Sequence, residues 1–334
     1  MRLAGLAGLL LLMVSVTPAR AEPVTLKIAT VMPAGSPWTD ALNRFAAEVK
    51  RRTNDQVVVQ IYAGAVAGDE SRALQRMRSG QIHGMAGGTA GLSGLEPSLR
   101  LLELPLMFRS QKEWDFVHRS LLPVFTSRLD AKGYRLVALA AVGWVHLYSK
   151  HPTRTLAELW SRKVWRWEND PIASGMLDEL GIPSVKLQLT NVLPSLQAGT
   201  IDTAYGMAHS TQALQWHTSV NHLIDFQITM ATAAVVLRKD AVSRLTAAQQ
   251  QVIAEAGATL QQYITTSSAA INDKATRAML AGGMKRILVS SEMVTQLGTA
   301  RERLYRRYTG GLLTAADLKQ VEALVSLCRA SSCR

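Results

Sequence analysis

The strongest constraint in this chain lies between residues 247 and 281, an unusually long helical pattern of about 35 residues. Thr246-x-x-Gln249 reads as a capping box that opens it, with each partner satisfying the other's backbone N–H. Val252, Ala256, Leu260, Ile264 and Ile271 recur at helical spacing along one face, and Gly282-Gly283 ends the run. At 1.5 Å per residue such a helix is roughly 50 Å long. That is too long for one domain to cover, so the expectation is a spine bracing two lobes; two helices with an unmarked break are the alternative. The total length of 334 residues fits two units on the usual prior of roughly 150 residues per domain.

The segments before the spine alternate strands and helices. Val24 to Val31 has strand periodicity, with Leu26 and Ile28 on one face. Ser36-Pro37 reads as an N-cap followed by proline at the first helical position, and Leu42, Phe45, Ala46 and Val49 form an amphipathic stripe. Val57 to Tyr62 is a second strand, Leu74, Met77 and Ile82 mark a second helix, and Met85 to Gly87 a short buried strand. This β-α-β-α-β opening implies an α/β domain with parallel strands. A second such unit follows: strands at Tyr134 to Leu139 and Val145 to Tyr148, a capping box at Thr155-x-x-Glu158, then strands at Lys163 to Trp167, Lys186 to Leu189 and Ile201 to Tyr205. Helices are expected between them at Ile172 to Leu180 and Asn191 to Gln197.

Composition narrows the class. Hydrophobic residues make up 48% and charged residues 19%, which excludes a disordered polar chain. The excess of Lys and Arg gives a formal charge of +12, which raises nucleic acid or an anionic surface as partners. The basic residues are dispersed rather than clustered with aromatics, which disfavours nucleic acid. Arg2, the apolar run Leu3 to Val16 and Ala19-x-Ala21 read as a secretory signal peptide over residues 1–21, cleaved before Glu22. The run is shorter than the roughly 20 residues that span a bilayer, and no later segment qualifies, so the exported chain is expected not to span a membrane. In an oxidising compartment Cys328 and Cys333 can close a small disulfide loop; their spacing is no metal signature.

Catalytic motifs are missing. The chain lacks a dinucleotide Gly-x-Gly-x-x-Gly loop, a phosphate loop, a Gly-x-Ser-x-Gly elbow and a His-x-x-x-His pair. Gly84, Gly87, Gly88, Gly91 and Gly94 form a glycine-rich stretch after a strand, a favoured ligand position in α/β folds. The expectation is therefore no enzyme, no cofactor and no metal.

The pattern resembles the substrate-binding proteins of tripartite ATP-independent periplasmic (TRAP) transporters, the C4-dicarboxylate-receptor-like family. The resemblance rests on the order of Pro33-x-Gly35-Ser36-Pro37-Trp38, Leu104-Pro105-x-x-Phe108, Lys132-Gly133, Leu193-x-x-Leu196-Gln197-x-Gly199, Ile201-Asp202 and Leu245-Thr246-x-x-x-Gln250. It implies a two-lobed periplasmic-binding-protein fold, with hinge strands and a long spine helix. Lobe I would comprise residues 22–144 and about 229–246, lobe II residues 145–228 and about 283–334. A small solute would bind between the lobes and pass to membrane permease subunits.

Relatives usually hold an organic acid with an arginine in a Lys-Ile-Arg strand, whose planar guanidinium suits a carboxylate. This chain has Lys163-Val164-Trp165-Arg166-Trp167, so Trp165 stands at the arginine position and Arg166 points to the opposite face of a strand. Gly143-Trp144-Val145 and Tyr205-Gly206 replace two further polar anchors. The expected cleft is apolar or aromatic, suited to an aromatic, hydrophobic or cationic molecule rather than a simple dicarboxylate; the alternative is that these tryptophans only pack the hinge core. The candidate ligand-binding residues are Trp38, Glu70, Thr89, Trp144, Trp165, Arg166, Trp167, Tyr205 and His209. A solute-sensing or efflux-associated receptor without transport, and an enzyme on this scaffold, are the competing functions.

Overall fold

A computed structural model describes residues 22–309 and 311–333; the leader expected over residues 1–21 lies outside them. Strands β1 (Val24–Ala29), β2 (Val57–Tyr62) and β3 (Gly84–Gly88) alternate with helices α1 (Pro37–Arg52), α2 (Glu70–Arg78), α3 (Thr89–Leu92) and α4 (Gln111–Ala131). Next come β4 (Tyr134–Ser149), α5 (Leu156–Trp160), β5 (Val164–Trp167), α6 (Pro171–Glu179), β6 (Ser184–Leu187), α7 (Val192–Ala198), β7 (Thr203–Gly206) and α8 (Ala208–Ala213). The last elements are β8 (His222–Arg238), α9 (Lys239–Val242), α10 (Ala247–Ala281), β9 (Lys285–Ile287), α11 (Ser291–Tyr308) and α12 (Ala315–Ser331).

Among the described residues the strands form one nine-stranded sheet in the order β2-β1-β3-β8-β4-β7-β5-β6, with β9 paired to β8. Its two ends are parallel, as a βαβ opening requires: β1 with β2 and β3, and β5 with β6 and β7. The centre is antiparallel, where β8 pairs with both β3 and β4, and β4 with β7. The long strands β4 and β8 thus run from one α/β end into the other. The two strands expected at Tyr134 to Leu139 and Val145 to Tyr148 are a single strand. Gly143, at φ 135°, sits in the irregular stretch of its ladder with β8, so the strand bends there without ending.

The spine explains why its pattern is so long. Ile253, Ala256, Leu260 and Ile264 of α10 pack into the core that holds Leu26, Ile28, Leu42, Phe45 and Val57. One end later, Ala275 and Met279 pack into a second core with Tyr148, Trp165, Leu196 and Trp216. One helix thus serves two cores. The buried stripe runs through Ile253, Ser268 and Ala275 rather than through Val252 and Ile271. A strict four-residue spacing advances more than one turn, so a face counted that way drifts around a 3.6-residue helix.

Polar side chains of α10 take up β4 carbonyls at its bend. Ser268 Oγ lies 3.0 Å from the Ala141 carbonyl oxygen, and Asn272 Nδ2 donates to the Val142 carbonyl at 2.8 Å. Nearby, a Cβ on Gly257 would come 2.4 Å from the Val137 carbonyl oxygen, so only glycine lets the helix lie this close to β4. Gly257→Leu should therefore lower the unfolding free energy by about 1–3 kcal/mol, read as an earlier urea midpoint.

The tail divides. Helix α11 lies on α6, but α12 returns to α4, where Arg128 Nη2 donates to Asp317 at 2.7 Å and Arg329 Nε to Glu113 at 2.9 Å. Residues 315–331 thus pack with the first α/β end, contrary to the expectation that all of 283–334 joins the second. Their buried Leu318, Val321 and Val325 need an apolar partner, and the α4 face offers it. Cys328 and Cys333 are joined in a disulfide that pins the end of α12.

Candidate functional site

A cavity of about 230 Å³ lies between the two α/β ends, lined in part by β4 and β8. Its walls are set by strand alternation. Val145 and Leu147 of β4 face it, while Trp144 points away and packs half-buried against the core. From β5, Trp165 and Trp167 face it, while Arg166 points outward, donating from Nε to Ser184 Oγ at 2.9 Å and pairing with Asp178. Thr89 is fully buried in α3 between Gly88 and Ala90, and those two neighbours line the cavity in its place. Trp144, Arg166 and Thr89 are therefore not brought to the site. Trp38, Glu70, Trp165, Trp167, Tyr205 and His209 are brought together there.

The aromatic wall is built as a stack. Trp165 stacks on Tyr205 at 4.8 Å between ring centroids with 23° between the planes, lies tilted beside Trp167 at 5.8 Å and edge-on to Trp216 at 5.4 Å. Such contacts add about 0.5–1.5 kcal/mol each beyond area burial. Trp165 Nε1 donates to the Leu187 carbonyl at 3.1 Å, and the Trp167 backbone N–H donates to the Tyr205 hydroxyl at 3.1 Å. Trp165 is only 1% exposed, so it is at once the floor of the cavity and part of the second core. Trp38 Nε1 is occupied by Thr30 Oγ1 at 3.2 Å. The buried Trp167 Nε1 has no hydrogen-bond partner among the described residues.

Of the charged members of the wall, Glu70 was expected, whereas Arg100, Glu103 and Asp170 were not. Pro97–Glu103 is a 3-10 helix, and it delivers Arg100 and Glu103, both buried, to the cavity. Arg100 is paired with Glu103 on its own turn and donates from Nη2 to Asp170 Oδ1 at 2.6 Å, across to the other end of the molecule. Asp170 also caps α6, accepting from the Ala173 N–H at 3.0 Å. Glu103 further accepts the Thr232 backbone N–H of β8 at 2.6 Å. Burial opposes the Arg100 charge, but Asp170 and Glu103 together raise its affinity for its proton. The signal in the sequence was a charged i, i+3 pair set inside the run Leu99-Arg100-Leu101-Leu102-Glu103-Leu104, just before the Leu104-Pro105 motif. Charges in a leucine run are buried with partners or they are not tolerated.

Glu70 is the first residue of α2, capped by Asp69, and is 5% exposed. Burial, then the neighbouring charges of Asp69, Glu103 and Asp170, push its carboxyl up to about 8. Burial also lowers His209, which is thus a neutral imidazole near pH 7, and raises the Tyr205 phenol. No group of His, Cys, Asp and Glu that could hold a metal ion is found among the described residues.

The description "bacterial extracellular solute-binding protein, family 7" matches residues 28–310 of the sequence. The chain belongs to this family. Its two-lobed α/β architecture is that of the TRAP periplasmic solute-binding proteins. A solute-binding protein of Chromohalobacter salexigens is 26% identical over 229 residues, covering 66% of this chain and 67% of that one. The fold superposes with TM-score 0.84 on an extracytoplasmic solute receptor of Bordetella pertussis that binds pyroglutamic acid, 19% identical, covering 90% of this chain and 99% of the other. A TRAP periplasmic solute-binding protein of Desulfovibrio salexigens with bound orotic acid gives TM-score 0.82 at 16% identity, covering 92% and 99%. Among the described residues of this family member, no helix is long and apolar enough to cross a membrane.

Proposed function

We propose that this family 7 protein is exported by its leader to the periplasm, where it captures a small apolar or aromatic solute between two lobes and delivers it to a TRAP permease. Lobe I would carry residues 22–144, 229–246 and the α12 segment, lobe II residues 145–228 with β9 and α11. One observation carries the reading of the ligand. Arg100 is the sole guanidinium among the described residues lining the cavity, and Glu103 and Asp170 already occupy it. An organic acid entering here would have to displace a buried carboxylate of the protein itself, at a cost no surface pair incurs. Apart from Glu70, His209 and the hydroxyl residues Ser210, Thr229 and Thr232, the remaining wall is aromatic and aliphatic, the usual lining of sites for apolar ligands. Two of the solved relatives named above bind pyroglutamic acid and orotic acid, so a departure of this kind is a change of ligand class on a shared fold.

Trp167 and Trp38 on the cavity wall give the test a readout. Titration of the mature protein with apolar aromatic solutes should change tryptophan emission at micromolar concentrations, whereas succinate and glucuronate should leave it unchanged. Tight binding of either acid would overturn the reading.

A further inference from the structure

We infer that the solute carries a protonated amine and that Glu70 is its counter-ion. The inference rests on the apolar cleft proposed above and specifies the polar end of the ligand. Three carboxyl side chains line the cavity with one guanidinium among the described residues, and that guanidinium is shared by two of the three. Glu70 is left over. It is 5% exposed, lines the cavity, and accepts no hydrogen bond from any described residue. A carboxyl buried this deeply is costly to ionise without a partner, so it keeps its proton until a cation completes it.

The glycine-rich stretch explains how the carboxyl is seated. A Cβ on Gly91 would come 2.6 Å from Glu70 Cδ, and one on Gly87 would come 3.3 Å from Oε1. The bare backbone of β3 and α3 therefore makes room for the acid head. Trp38, Trp167 and Tyr205 share the same cavity, and aromatic faces also favour a cation. The arrangement accepts an ammonium at the Glu70 end and an apolar or aromatic body at the other. It repels a carboxylate, since Glu103 and Asp170 add to the same field.

Coupling to protons follows. Among the groups facing Glu70, Asp69, Glu103 and Asp170 oppose its ionisation and Arg100 favours it, and burial makes the empty site hold a proton up to about pH 8. An ammonium requires the ionised form, so capture of the amine releases that proton. Affinity for the amine should rise toward pH 8, by up to about tenfold per pH unit, while affinity for a neutral analogue stays flat.

Calorimetric titration of the full mature chain with 2-phenylethylamine, 2-phenylethanol and 3-phenylpropanoate tests this. The amine should bind at least about tenfold tighter than the alcohol at pH 8, and the acid should bind weakest. Glu70→Gln should bring the amine down to the alcohol's level and abolish its pH dependence. If the variant does not fold, the pH dependence of the wild-type amine titration decides alone. An alcohol that binds as tightly as the amine overturns the amine inference and leaves the apolar cleft standing. A preferred 3-phenylpropanoate overturns both, and an amine that does not bind at all overturns the inference.

Discussion

Replacing Arg100 with methionine should lower the unfolding free energy by about 3–5 kcal/mol, read from urea denaturation at pH 7. The guanidinium is 4% exposed and sits between two carboxylates, Glu103 at 8% and Asp170 at 9% side-chain exposure. Methionine fills much of the volume but leaves both acids buried without a cation. The loss is therefore dominated by stranded charge rather than by missing contacts. Glu103 retains the Thr232 N–H and Asp170 retains the Ala173 N–H, which keeps the loss within that range. A combined Arg100→Met, Glu103→Gln, Asp170→Asn variant should recover most of the stability, because no charge then remains unpaired and Asn still caps α6. A single variant that loses less than about 1 kcal/mol would show that water reaches the network. The same substitution has a conformational consequence. Arg100 belongs to the 97–103 turn and Asp170 to the start of α6, so their bond ties the two ends across the cavity. Its removal should shift the unliganded protein toward a more open form, visible as a larger radius of gyration in solution scattering.

The parts of the fold that were legible in the sequence are those fixed by local chemistry. Ser36, Thr155 and Thr246 cap α1, α5 and α10 because a hydroxyl next to three free N–H groups has little else to do there. The 35-residue helix was readable because its face must stay apolar against two cores. What was not legible is what neighbours decide. Strand β8 is 17 residues long and packed within the sheet, so residues 230–237 are an apolar run with one threonine and no alternation to read. Gly143 looks like a break between two strands, but pairing with β8 continues on both sides of it, and Ser268 and Asn272 of the spine take the carbonyls just before it. The site divides in the same way. Strand parity placed Trp165 and Arg166 on opposite faces, and Arg166 indeed turns to Ser184 and Asp178. The reach of Asp170 across the cavity to Arg100 spans 70 residues and leaves no local trace.

Stability should fall as pH rises from about 6.5 to 8, and Glu70→Gln should remove much of that fall. An unfolded glutamate titrates near 4.5, while the folded Glu70 holds its proton to about 8. Between those values the folded state binds one more proton than the unfolded state, so raising the pH favours unfolding by about 1.4 kcal/mol per pH unit; above pH 8 both states are ionised and the slope ends. Burial lowers His118, His146 and His209, whose neutral folded forms make stability rise with pH up to their unfolded value of 6.5. The two trends oppose each other below pH 6.5; above it any fall comes from Glu70 and from Glu103, whose carboxyl burial also raises, and the Glu70→Gln comparison isolates the Glu70 share. Glu96, Glu113 and Asp317, held below their usual range with Lys132, Arg329 and Arg128 as partners, act only in acid. Urea midpoints of wild type and Glu70→Gln at pH 5, 6.5, 8 and 9 give the comparison directly. The variant should match wild type at pH 5 and exceed it at pH 9; equal curves throughout would show that the Glu70 carboxyl is solvated. An amine in the cavity should reverse the trend, since it stabilises the ionised acid, and a wild type saturated with 2-phenylethylamine should then gain stability over the same interval in which the empty protein loses it.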